Sequence, residues 1–103
     1  NIATASYYYG LNPLSVVDGA ISDLDIFPNP TTDIINISFN VAEYIDFDIR
    51  IVNLLGEIVK EEGQQEFKGD YIYKTNLSEL EKGIYFVEVT TELGKIIKRI
   101  VLQ

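Results

Sequence analysis

Ile35, Ile37 and Phe39 alternate with Asn36 and Ser38 in "DIINISFN", and Phe47, Ile49 and Ile51 alternate with Asp48 and Arg50 in "DFDIRIVN". Successive side chains of a strand point to opposite faces, so each run predicts a half-buried β-strand with its apolar residues inward. "IYFVEVTT" repeats the pattern with Tyr85, Val87 and Val89 inward. "KIIKRIVLQ" follows it across the "ELG" turn, which predicts a C-terminal hairpin. Further strands are expected at "LDIF", stopped by Pro28, at "EIVKEEG" after a turn at Gly56, and at "DYIYKTN", where Tyr71 and Tyr73 share a face opposite Ile72. "LSELEKG" reads as a short turn or a single helical turn, closed by Gly83.

Together these runs predict an all-β, immunoglobulin-like β-sandwich of about seven antiparallel strands in Greek-key order, with turn residues roughly every eight to twelve positions. A helical reading fails because the alternating segments are rich in β-branched residues. The chain has neither Cys nor Trp, so the likeness to antibody domains is one of architecture only. Residues 1–22 follow no period and read as a linker or the tail of an upstream passenger, with residues 23–103 as the folded domain. A second reading makes the triplet Tyr7, Tyr8 and Tyr9 a short strand packed on a neighbour. The chain begins at Asn1 and contains no Met, so it is expected to be a piece of a longer protein.

A chain of 103 residues can bury a real core without cross-links. Its 16 carboxylates against 8 basic residues give a net charge of −8, which repels phosphate backbones and anionic lipid and argues against nucleic-acid partners. The apolar runs are too short for a membrane span, and direct membrane insertion is not expected. Charge is unevenly spread. No Lys or Arg precedes Arg50, whereas the final strand carries Lys95, Lys98 and Arg99 and no acid.

The absence of His and Cys removes the commonest general base, the thiol nucleophile and most transition-metal ligands. Asp23 with Asp25, and Asp46 with Asp48, are i, i+2 pairs able to share a cation, but no loop resembles a calcium-binding one. No glycine-rich phosphate cradle occurs. The reading is therefore a non-enzyme with no catalytic residue, cofactor or metal. The 7 Tyr and 5 Phe suit strand packing better than a carbohydrate platform, although an Ig-like carbohydrate-binding or structural module stands as the alternative.

Three segments read together, "IFPNPTTD", "NLLGEIV" and "LSELEKGIYFVEVTTELGKIIKRIVLQ", closely resemble the C-terminal sorting domain of the type IX (Por) secretion system, type A. The resemblance covers about residues 23 to 103 in order and spacing. It implies a cargo tag that folds as a small β-sandwich and directs an upstream passenger through the outer-membrane translocon. Such cargo reaches the periplasm in transit and then the cell surface or the medium. A sortase-like peptidase commonly removes the tag.

Carried over by motif, Pro28, Asn29 and Pro30 match the family's proline motif, Gly83 and Tyr85 its Gly-x-Tyr, and Lys95, Lys98 and Arg99 its basic terminal strand. These are the candidate translocon-recognition residues. Family processing lies just upstream of the proline motif, which points to Asp18, Gly19, Ala20, Ile21 and Ser22 as the cleavage region. Physically, the two prolines fix φ and end an edge strand. Gly56 and Gly83 supply turn conformations, and Tyr85 reads as a core residue with its hydroxyl at the rim. The three terminal cations, without a counter-acid on their own strand, are expected to form an exposed patch. The proline motif is expected to shape the edge where the linker enters.

Overall fold

The computed structural model describes residues 20–103. Its strands are β1 (Ile21–Phe27), β2 (Ile34–Val52), β3 (Ile58–Asn76), β4 (Gly83–Thr91) and β5 (Gly94–Leu102), every pairing antiparallel. The fold is all-β, as the alternation predicts, with five strands instead of about seven. The difference lies in two long strands. "DIINISFN" and "DFDIRIVN" are parts of one 19-residue β2, and "EIVKEEG" and "DYIYKTN" are parts of an equally long β3. β1 also starts three residues before the expected "LDIF".

The long strands make two layers because each half has different neighbours. The first half of β2 lies between β1 and the second half of β3, with Ile37 opposite both Ile26 and Tyr73. Its second half lies between the first half of β3 and β4, with Ile49 opposite Glu62 and Val89, and β5 continues that layer. Between the halves the register breaks, from Val41 to Ile45 and again from Ile45 to Phe47. At the second break Glu66 takes a left-handed backbone conformation (φ 49°), and its N–H donates to the Asp46 carboxylate at 2.8 Å. Such a bulge adds local twist and bends a strand. An immunoglobulin-like β-sandwich is consistent with this arrangement.

The predicted inward positions are the core. Ile35, Ile37, Phe39, Phe47, Ile49, Ile51, Tyr85, Val87 and Val89 all belong to one continuous buried cluster. Ala20, Ile21 of β1, Val41 of β2, Leu77 of the turn before β4, and Ile100 and Leu102 of β5 complete it. Phe39, Phe47, Phe67 and Tyr71 pack beside one another with ring centroids 5.0–5.8 Å apart, four of the five contacts being edge-to-face. Burial raises the Tyr71 hydroxyl above the ordinary phenol range, and the Glu62 carboxylate that accepts its hydrogen bond at 3.1 Å adds to the shift. Tyr71 and Tyr73 turn towards the core while Ile72 faces out, as the alternation requires.

Candidate functional site

The proline motif and the terminal strand, about 70 residues apart in sequence, lie side by side. Pro28 ends β1, and the peptide bonds preceding Pro28 and Pro30 are both cis. Between the prolines the Asn29 side chain faces the outer edge of β5. Its Nδ2 donates to the Arg99 carbonyl at 3.2 Å, and its Oδ1 accepts from the Val101 N–H at 3.1 Å. A side-chain amide thus supplies the donor and the acceptor that a backbone peptide group would supply to a strand edge.

Thr31 continues the contact with its own backbone. Its N–H donates to the Val101 carbonyl at 3.0 Å and its carbonyl accepts from Gln103 at 2.8 Å, a parallel bridge alongside Leu102. Thr31 is buried, and its hydroxyl donates to the Ile34 carbonyl while accepting from the Asp33 N–H. This Thr-x-Asp turn was a local signal that could have marked Thr31, since hydroxyls bond backbone groups two residues on. Asn29 and Thr31 together cover the outer edge of β5 from Arg99 to Gln103.

The opposite edge of the same residues is held by the Gly-x-Tyr element. Gly83 pairs with Leu102 and Tyr85 with Ile100. Gly83 has φ +146°, a conformation open to glycine and strained for other residues, and it begins β4 directly after the turn. Tyr85 is buried and its hydroxyl donates to the Glu81 carbonyl at 2.6 Å, the core-with-rim arrangement expected of it. Lys82, not singled out from the sequence, reaches the Gln103 carbonyl oxygen at 2.8 Å.

Two expectations change. The proline motif is at the far end of β1 from the point where the upstream chain enters, so it closes the edge of β5 and does not frame the linker. The basic residues also differ among themselves. Lys95 has a counter-acid on β4, Glu88, at 3.4 Å, whereas Lys98 and Arg99 have no ion-pair partner among the described residues. Alternation along β5 places Lys98 on the face opposite Lys95 and Arg99. The cations therefore form a ridge along the edge, not one patch.

In the cleavage region, Asp18 and Gly19 lie outside the described residues. Ala20 and Ile21 are buried, the Ala20 carbonyl accepts from Ala42 at 2.8 Å, and Ser22 pairs with Asn40. The reading of the Tyr7–Tyr9 triplet and most of the proposed linker likewise fall outside the described residues. No group of acids able to hold a metal occurs among those that are described.

Asn29→Ala tests the covering contact. It removes two hydrogen bonds at a partly exposed edge, each worth about 0.5–1.5 kcal/mol, so a loss of about 1–3 kcal/mol is expected. Denaturant unfolding reads the loss, and faster amide exchange at Val101 locates it.

Residues 25–103 match the family described as "Secretion system C-terminal sorting domain". The chain is 33% identical over 79 residues to an endo-acting ulvan lyase of Formosa agariphila, covering 75% of the chain and 14% of that protein. It is 34% identical over 77 residues to beta-agarase D of Zobellia galactanivorans, covering 74% of the chain and again 14% of the relative. The chain thus spans about one-seventh of the length of these relatives.

Proposed function

The chain belongs to the type IX secretion C-terminal sorting family, and we propose that it carries an upstream passenger through the outer-membrane translocon and is then removed by a sortase-like surface peptidase. Membership gives a sorting signal whose cargo is exported to the cell surface or secreted, and such a domain is not itself catalytic. Translocon contact, periplasmic transit and peptidase removal are the finer parts of the proposal. The enzymes named among the relatives extend far beyond the matched segment, in keeping with a tag joined to a separate passenger.

One observation carries the reading. Motifs scattered from Pro28 to Arg99 meet around a single strand end, with Asn29 and Thr31 on its outer edge and Gly83 and Tyr85 on its inner edge. A receptor that reads this place reads a folded surface, because no linear peptide contains it. Residues 23–103 would then act as the sorting unit, with β1 drawing Ile21 and Ser22 into it. A peptidase acting on the folded tag would cut N-terminal to Ala20, since the bonds from Ala20 to Ser22 are tied into the sheet. The carbohydrate-module alternative gains no support from the aromatics, because the Phe39–Phe47–Phe67–Tyr71 group is spent on packing.

The test is export. All 103 residues are fused behind a fluorescent protein bearing an N-terminal signal peptide, and surface and medium are assayed in strains with and without a working type IX translocon. Fluorescence outside the cell only where the translocon works is expected. A folded fusion retained in the periplasm of both strains overturns the proposal.

A further inference from the structure

We propose that the outer edge of β5 between Lys95 and Arg99 is a docking edge, which takes an extended acidic segment of a partner protein as the next strand of the sheet. The inference rests on the sorting reading for its setting and deepens it by naming what the partner presents.

The edge is open where the proline motif stops. Arg99 C=O, Val101 N–H and C=O, and Gln103 N–H point outward and are taken by Asn29 and Thr31. Backbone groups of alternate residues point the same way along a strand, and β5 pairs with β4 in unbroken register from Gly94 to Leu102. The N–H and C=O of Lys95 and Ile97, and the N–H of Arg99, are therefore turned outward too. Among the described residues no strand pairs there. The other outer edges are less fit to receive a strand. β1 has a register break and a left-handed residue at Asp23 (φ 59°), and β3 is interrupted at Glu66 and Gly69. Bulges of this kind obstruct edge pairing, whereas a straight regular edge invites it.

Charge specifies the occupant. Across the outer face one row runs Glu61, Arg50, Glu88 and Ile97 in register, and Lys95, two residues before Ile97 on the same face and opposite Thr90, reaches diagonally to Glu88. Glu61 and Arg50 are 2.9 Å apart, Arg50 is opposite Glu88 in register, and Glu88 is 3.4 Å from Lys95. The sign alternates from β3 to β4, and on β5 Lys95 answers Glu88 from the diagonal position, so a carboxylate set against Lys95 on a further strand continues the alternation. Arg99 lies on the same face, with exposed Ile97 between it and Lys95. The fitting segment is thus acid–x–apolar–x–acid. A second copy of β5 does not fit: antiparallel self-pairing centred on Ile97 sets Lys95 against Arg99 of the copy, and like charges directly opposite are destabilising. The same cations that deter self-association select an acidic strand, so repulsion and attraction act together in specificity. Main-chain bonds supply the affinity, as in other β-strand additions.

The probe is a blocked peptide, Ser-Glu-Thr-Val-Thr-Glu-Ser, titrated into the isotope-labelled chain at low salt and followed by amide resonances and exchange. Shifts and slowed exchange centred on Lys95, Ile97 and Arg99 are expected. Replacing both peptide glutamates by lysine, or N-methylating the central valine to remove its ladder donor without changing charge, is expected to weaken binding at least tenfold. The double variant Lys95→Glu/Arg99→Glu, whose changes are on the surface, is expected to prefer the lysine peptide. Equal binding of the N-methylated peptide, shifts confined to other edges, or dimerisation of the chain through β5 would each overturn the inference. None of these results bears on translocon-dependent export, so the sorting reading stands or falls separately.

Discussion

Deleting Ile100 through Gln103 is expected to abolish export and the cooperative fold together. Ile100 and Leu102 are 0% and 3% exposed, and truncating a buried aliphatic side chain costs about 2–5 kcal/mol. Two such losses approach the roughly 5–15 kcal/mol that holds a whole small domain together. The deletion also strips Asn29 Oδ1 and both Thr31 backbone groups of their partners, and leaves Gly83 and Tyr85 with no strand beside them. Circular dichroism is expected to show loss of a sharp thermal transition, and the fusion assay is expected to fall to the level of the translocon-free strain. Undiminished export by the deletion would sink the view that the signal is built around the end of β5. Loss of export alone, with the transition intact, would make these residues direct contacts and not scaffold.

The difference between what the chain discloses and what it conceals follows from the range of the interactions. Alternation is local, and it correctly turns Ile35, Ile49, Val87 and their neighbours inward. Hairpin chemistry is local too, so the "ELG" turn joins β4 to β5 as expected, Thr91 pairing with Gly94. The length of β3 is hidden because glycine carries two meanings. Gly63 and Gly69 look like breaks between strands, yet both lie inside β3. At Gly63 the Asp48 carboxylate lies close to where a Cβ would be, its Oδ1 2.7 Å away, and the glycine pairs with Asp48 inside the strand instead of ending it. Ile21 falls in the expected linker because the residues before it show no period, and its burial depends on pairing with Val41, about twenty residues on. The contact between Asn29 and β5 was hidden for the same cause. No spacing within "FPNPTTD" indicates that an amide there will complete the edge of a strand about 70 residues later. The motifs could be recognised, but their meeting place is a property of the fold.

Ile49→Ala is expected to reduce export although Ile49 lies outside every recognised motif. It lies at the centre of the second layer, fully buried, with Glu62 on one side and Val89 on the other. A cavity there costs about 2–5 kcal/mol, a large share of the stability of a domain this size, and no residue at the β5 edge is altered. If the translocon reads a folded surface, export falls with the folded fraction and recovers on lowering the growth temperature. Ile72→Ala serves as the companion, because Ile72 is 58% exposed and its truncation is expected to change stability by no more than about 0.5 kcal/mol and to leave export intact. Urea unfolding of the isolated variants gives the stabilities against which export is plotted. A linear signal carried by the last strand predicts instead that both variants are exported equally at every temperature. That result would separate the sorting function from the fold, and with it remove the reason for Asn29, Thr31, Gly83 and Tyr85 to converge on β5.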